Sequence, residues 1–385
     1  MQAIQTKKIF TPEKTCEAGY LVVENGRIKE ITTIKPECGI LDFSRFTAIP
    51  GLIDLHIHGI AGYDTMDGSL DALQGISSNL ARHGVTGFLP TTLTHDFEKI
   101  KQAAKAVHLV MGNTCGAEIL GSYIEGPYLT PEHKGAHPTK YMREISLADL
   151  DDLIAASNHT IKIITIAPEK HNTIEAIKYL SEKGIIVSLG HTNADYETAT
   201  HAIENGASIS VHTFNGMRGF NHREPGCLGA FLTNEMVFCE CIADLRHVYP
   251  AAIKLLYKAK GSNHILLISD LMAAADLPDG DYMLGTLAVK VKDRIARTID
   301  TGSLAGSTTN LMDCIKNTQA VLRLPLEQIL PMATLNQAKL LGLDKEIGSL
   351  EIGKKANVVF IDQDFDVKAT MVNGQFVFTK EEIEA

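Results

Sequence analysis

Eight short apolar runs rich in isoleucine, valine and leucine recur through the middle of the chain: GLIDLHIH, VTGFLPTT, EILGSYIEG, IKIITIAP, GIIVSLGH, ASISVHTF, VFCECIAD and HILLISD. Most are separated by stretches whose apolar residues return every three or four positions, among them Leu70–Arg82, Phe97–Val110, 174–182 and Tyr196–Glu204. Near-continuous apolar runs of this length read as strands buried on both faces. A strand followed by a helix, eight times over, predicts an α/β chain built on a parallel (β/α)8 barrel of the TIM type.

The two ends stand outside that count. GYLVVENGRIKEI near the start and ATMVNGQFVF near the finish each set Asn-Gly between short strand-like runs, a strong hairpin signal. Because they flank the barrel, they are expected to pair into a small β-sandwich domain of residues 1–48 and 346–385, beside a barrel of residues 49–345. The stretch 126–143 (GPYLTPEHKGAHPTKYMR) directly follows the third run, has weak periodicity and carries Pro and Gly. It reads as an active-site loop.

In such a barrel the active site lies at the C-terminal ends of the strands, so the polar residues that close each run are the ones that matter. The first run ends in His56 and His58, the third in Glu125, the fifth in His191, the sixth in His212 and the eighth in Asp270. His56 and His58 are two apart, which on a strand sends both side chains to one face. Imidazole with carboxylate suits zinc or a similar divalent first-row ion, and a mixed set without cysteine is more often catalytic than structural. Any one of these histidines alone reads as a packing residue. The combination resists that reading, because all six groups fall at strand ends, none is counted inside a run, and buried charges need partners. His83, His95, His108, His159, His171 and His201 fall on helices or polar loops and are expected at the surface.

At 385 residues the chain is long enough to bury a sizeable core. Its formal charge of -10 gives no general basic field for nucleic acid or an anionic membrane, so an anionic substrate needs local cations. No apolar stretch approaches bilayer length and MQAIQTKKIF lacks the apolar centre of a signal peptide, so the cytoplasm is the expected location. The seven cysteines are scattered without a CxxC pair and are expected to be reduced and mostly buried.

IPGLIDLHIHG resembles the first-strand metal motif of the amidohydrolase superfamily. YIEGPYL with the later KGAH, SLGHTNA, VHTFNGM followed by REPG, LISDLMAA and SLAGS narrow the resemblance to the N-acetylglucosamine-6-phosphate deacetylases. It runs nearly end to end, through ATLNQAKLLGLDKEIGSLEIGKKANVVFID.

The resemblance implies hydrolysis of N-acetyl-D-glucosamine 6-phosphate to D-glucosamine 6-phosphate and acetate, in amino-sugar breakdown and recycling. It implies a main metal position held by Glu125, His191 and His212, with Asp270 accepting a proton from the attacking water and returning it to the departing amine. His56 and His58 leave a second position open, so one or two divalent ions per subunit, zinc or iron, are expected. Relatives of the hydantoinase and dihydroorotase kind bridge two ions with a carboxylated lysine from the fourth strand. Here IKIITIAP ends in Ala-Pro, so Glu125 would be the bridge.

Substrate contacts are implied at Ala136, His137, Asn215, Gly216, Arg223, the stretch Asp244, Leu245, Arg246 and His247, and Leu304, Ala305 and Gly306. Arg223 and His247 are the expected phosphate clamp, reaching across from the neighbouring subunit of a homodimer. His137 is expected to hydrogen-bond the sugar or the developing oxyanion. Gly216 stands where the family is expected to carry alanine, a change expected to matter little for a backbone contact. A relative acting on another amide, or a silent barrel kept for assembly, is the alternative. REPG and HTFNGM argue against the first, and an intact Asp270 against the second.

Overall fold

In the computed structural model, which describes residues 1–380, each of the eight runs contains a strand. The barrel strands are Leu52–Ile57, Val85–Thr92, Ser122–Glu125, Ile161–Ile166, Ile186–Leu189, Ala207–Ser210, Phe238–Ile242 and Ile265–Ile268, each parallel to the next. The seam between the last and the first is stitched just beyond the strand ends. There the Asp270 N–H donates to the His56 carbonyl at 2.9 Å, and the His58 N–H to the Leu271 carbonyl at 2.9 Å.

Helices follow the strands, and three of the four expected ones have the bounds read from periodicity; the fourth begins one residue earlier, as Thr173–Glu182. Their starts are set by side-chain caps: Ser69 accepts from the Ala72 amide, Asp96 from Glu98 and Asp195 from Thr198. Each such cap contributes about 1 kcal/mol. The apolar helix faces, with Leu73, Ile76 and Leu80 in the first, pack on the outside of the barrel. A second buried cluster contains Tyr123, Ile163, Ile209, Leu266 and Ile268.

The terminal segments share one sheet, in the order Gln375–Thr379, Val367–Val372, Val358–Ile361, Ile40–Pro50, Gln2–Phe10, Tyr20–Glu24 and Arg27–Thr32, with Thr15–Glu17 paired to Gln2–Phe10. Both Asn-Gly hairpins form. Asn25 and Gly26, like Asn373 and Gly374, have positive φ throughout, the conformation that a two-residue turn matched to strand twist requires. Strand Ile40–Pro50 runs straight from this sheet into the first barrel strand. A three-stranded antiparallel sheet, Gly280–Leu284, Leu287–Lys292 and Ile295–Thr298, is inserted between the eighth strand and the helix Leu311–Leu322, an element not among those expected from the sequence.

Candidate metal centre

At the C-terminal mouth of the barrel, His58, Glu125, His191, His212 and Asp270 line a cavity of about 370 Å³; His56 lies fully buried beside them. His191, His212 and Asp270 all take positive φ (46°, 23° and 51°) directly after their strands. That region costs a non-glycine residue about 1–3 kcal/mol and is typical of functional sites. Here it coincides with the three side chains, His191, His212 and Asp270, that follow the fifth, sixth and eighth strands into the centre.

The histidine rings are oriented from behind. Nδ1 of His56 faces Glu240 Oε2 at 3.1 Å, that of His58 the Thr91 carbonyl at 3.2 Å, that of His191 the His133 carbonyl at 2.8 Å and that of His212 the Asn215 carbonyl at 3.2 Å. These oxygens only accept, so each ring carries its proton on Nδ1 and turns Nε2 toward the centre. There the four Nε2 atoms converge on Glu125. Its Oε1 is 3.2 Å from His191 and 3.0 Å from His212, and its Oε2 is 3.4 Å from His56 and 3.3 Å from His58. Asp270 Oδ1 stands 3.1 Å from His58 Nε2.

Two triads result, His56–His58–Glu125 and Glu125–His191–His212, with the candidate ligand atoms of each within 4.8 Å of one another. His191 and His212 bring their Nε2 atoms to 3.1 Å, a pair that only a proton or a cation between them makes favourable. A nitrogen–oxygen set with no thiolate, two carboxylates and one side open to a cavity fits a divalent first-row ion.

The electrostatics agree. Burial alone would raise the Glu125 carboxyl, but the facing imidazoles hold it well below the ordinary carboxylate range. Burial opposes ionisation of Asp270 too, and the His58 hydrogen bond with the charges of His56, His58 and His212 outweighs it. His56 and His58 are pushed down by burial and pulled up more strongly by the carboxylates around them. Basic nitrogens of this kind are taken by protons or by metal, in competition.

His137 is built the other way round. Its Nδ1 accepts the Thr94 amide at 3.3 Å and lies 2.8 Å from Thr94 Oγ1, while Nε2 points at Glu125 Oε2 from 3.5 Å. Burial and the neighbouring His191 push its pKa down to about 4. A neutral ring whose Nδ1 accepts presents an Nε2–H to the cavity.

Of the expected substrate contacts, Ala136, His137, Asn215, Gly216, His247, Leu304 and Gly306 line this cavity. Asp244, Leu245, Arg246 and Ala305 do not. Asp244 instead accepts from His247 Nδ1 at 2.7 Å and from two backbone amides, fixing the ring; Arg246 is exposed, and Ala305 is packed in the core. His247 lines the cavity of its own chain, in contrast to the expectation that a neighbour supplies it. Arg223 lies outside the cavity, on the exposed turn 221–224.

Gly216 is not a neutral change here. At its φ of +58° an added Cβ would stand 2.8 Å from His191 Nδ1. Of the histidines expected at the surface, His159, His171 and His201 are exposed, whereas His83, His95 and His108 are half-buried, His83 pairing with Asp276 at 2.6 Å.

Two carboxylates that sequence reasoning passed over lie inside the apolar runs, correcting the expectation that none would. Asp54 accepts from the His56 and Ser269 amides at 3.4 and 3.2 Å, joining the first and eighth strands, and burial raises its pKa to about 6. Glu240, in the seventh strand, backs His56. A charged residue in a run such as FCECI was the available signal. Leu284, from the inserted sheet, also lines the cavity.

A closed parallel barrel with paired histidine–carboxylate triads at its strand ends defines a metal-dependent hydrolase. The chain belongs to the amidohydrolase family, whose sequence profile matches residues 47–377. It is 42% identical over 368 residues to an N-acetylglucosamine-6-phosphate deacetylase of Vibrio furnissii, covering 94% of this chain and 91% of the relative. It is 38% identical over 373 residues to an N-acetylgalactosamine-6-phosphate deacetylase of Escherichia coli O157:H7, covering 97% and 98%. Among solved structures, a mutant N-acetyl-D-glucosamine-6-phosphate deacetylase from Mycobacterium smegmatis, in complex with N-acetyl-D-glucosamine-6-phosphate, superposes with a TM-score of 0.92. It is 29% identical, over 98% of this chain and 99% of that one.

Proposed function

We propose that the chain hydrolyses N-acetyl-D-glucosamine 6-phosphate to D-glucosamine 6-phosphate and acetate. The observation that carries this reading is Glu125 set between two histidine pairs, with Asp270 beside them, in a cavity that opens toward His137 and His247. The relatives named above act on this sugar phosphate or on its N-acetylgalactosamine counterpart, and the likeness spans nearly the whole chain.

A divalent ion, zinc or iron, held by Glu125, His191 and His212, with His56 and His58 offering a second position, would supply an acidified water and a Lewis acid for the acetyl carbonyl. The rest falls to the chain. Asp270 accepts the proton of the attacking water and hands it to the nitrogen, because an amide nitrogen cannot leave as an anion. The His137 Nε2–H donates to the sugar or to the developing oxyanion. His247, braced by Asp244, faces the substrate's phosphate, and the Gly216 and Asn215 backbone holds the sugar. Arg223 completes the clamp from the neighbouring subunit of a homodimer. No helix among the described residues is long and apolar enough to cross a membrane. A phosphorylated sugar as substrate favours the cytoplasm as the site of the reaction.

The 38% identical relative favours a second substrate, N-acetylgalactosamine 6-phosphate. Acetate release from both phosphates and from unphosphorylated N-acetylglucosamine, with and without chelator, tests both readings. Release from N-acetyl-D-glucosamine 6-phosphate that chelator abolishes is the expected result; release only from the galactosamine compound would replace the first reading by the second.

A further inference from the structure

We propose that Glu240 is a positioning residue for the metal centre, holding one ligand of each triad: the His56 ring through Nδ1 and the His212 backbone through its amide. The inference rests on the functional reading above, because it concerns ligands to the ion which that reading requires.

Glu240 is fully buried in the seventh strand. Its Oε2 lies 3.1 Å from His56 Nδ1 and accepts the His212 N–H at 3.0 Å. Its Oε1 has no hydrogen-bond partner. An apolar side chain would fill the same space without desolvating a charge, so packing does not account for a carboxylate here.

What the carboxylate adds is specific to His56. The other three ligand histidines rest their Nδ1 on backbone carbonyls, whereas His56 alone rests on a carboxylate. A carboxylate behind an imidazole fixes its tautomer and strengthens Nε2 as a donor, and losing such a partner typically weakens metal affinity by about 10–100-fold. Charge balance points the same way. Two divalent ions exceed the charge of Glu125 and Asp270, and Glu240 offsets part of that excess. The His212 amide that Glu240 accepts belongs to a residue at φ 23°, so the same oxygen braces a strained ligand position of the other triad.

The test compares the wild-type chain with Glu240→Gln, Glu240→Leu and His56→Asn after dialysis against a series of fixed free-zinc concentrations, reading zinc per chain and Tm. Glu240→Gln keeps an acceptor for the amide and loses the charge. It is expected to shift loading of the His56–His58 position to about tenfold or more higher free zinc, with Tm unchanged and the other position moved less than about threefold. Glu240→Leu is expected to weaken both positions. In a His56→Asn background, Glu240→Gln is expected to add less than about a threefold change. Wild-type loading curves in both Glu240 variants would overturn the proposal, as would a proportionate loss at both positions with a lowered Tm in Glu240→Gln. A wild-type chain that loads one ion and releases acetate keeps the function and overturns the Glu240 assignment. One that loads two ions and releases no acetate removes the functional reading and leaves the zinc curves to decide.

Discussion

Asp270 Oδ1 lies 3.1 Å from His58 Nε2, across the seam where the eighth strand meets the first. The proposed proton carrier thus touches the His56–His58 triad while its backbone is pinned to the His56 carbonyl. Asp270→Asn keeps the side chain's volume and its backbone bonds but cannot take a proton. It is expected to retain fold and zinc at the Glu125–His191–His212 position while turnover falls by roughly 10²–10⁴-fold, the usual worth of a general base. Measuring kcat beside metal content checks this. Near-normal kcat would remove Asp270 from the proton path.

Gly216 and His191 set a second prediction. An alanine at 216 would place Cβ 2.8 Å from His191 Nδ1, and a left-handed backbone costs a non-glycine residue about 1–2 kcal/mol. Gly216→Ala is expected to lower Tm and to weaken zinc binding, because His191 must move away from the His133 carbonyl that orients it. Thermal melts in the presence and absence of zinc report both effects. An unchanged zinc dependence of Tm would show that the loop yields instead of the ligand.

The barrel and the side chains that converge at its mouth were legible for one physical reason. Strands covered on both faces are continuously apolar, so the residue that ends each run, such as Glu125 or His212, stands out as the first polar group at the mouth. That same reasoning hides Glu240 and Asp54, which sit within the runs and survive burial only through partners contributed by distant strands: His56 for one, Ser269 for the other. The Asn-Gly turns were visible because positive φ at both positions demands those residues, whereas the strand order of the terminal sheet depends on contacts far apart in sequence. Leu284 reaches the cavity from an insertion with no chemical motif, and nothing local marks it.

Arg223 is the proposed phosphate contact from outside the cavity. It lies outside its own chain's cavity, and the proposed contribution comes from a neighbouring subunit. Arg223→Ala is expected to raise KM for the phosphorylated sugar by roughly tenfold or more, the worth of a hydrogen bond to a charged group at ~1.5–3 kcal/mol, and to change KM for the unphosphorylated sugar little. An equal effect on both substrates would take Arg223 out of the phosphate site. Sedimentation of the wild-type chain as a monomer would do the same.

The thiols provide a check on the packing. All seven cysteines are free: Cys115 is exposed, Cys16 and Cys38 are half-buried, and Cys227, Cys239, Cys241 and Cys314 are buried. Burial pushes Cys227 and Cys239 up to about 11 and Cys241 to about 12, so at neutral pH these groups stay as unreactive thiols. Alkylation of the native chain is expected to modify Cys115 first, then Cys16 and Cys38, and to leave the other four until denaturant is added. Cys239 and Cys241 flank Glu240 on the seventh strand, so their labelling without denaturant, located by mass spectrometry, would mean that this strand opens and that the support behind His56 is not rigid.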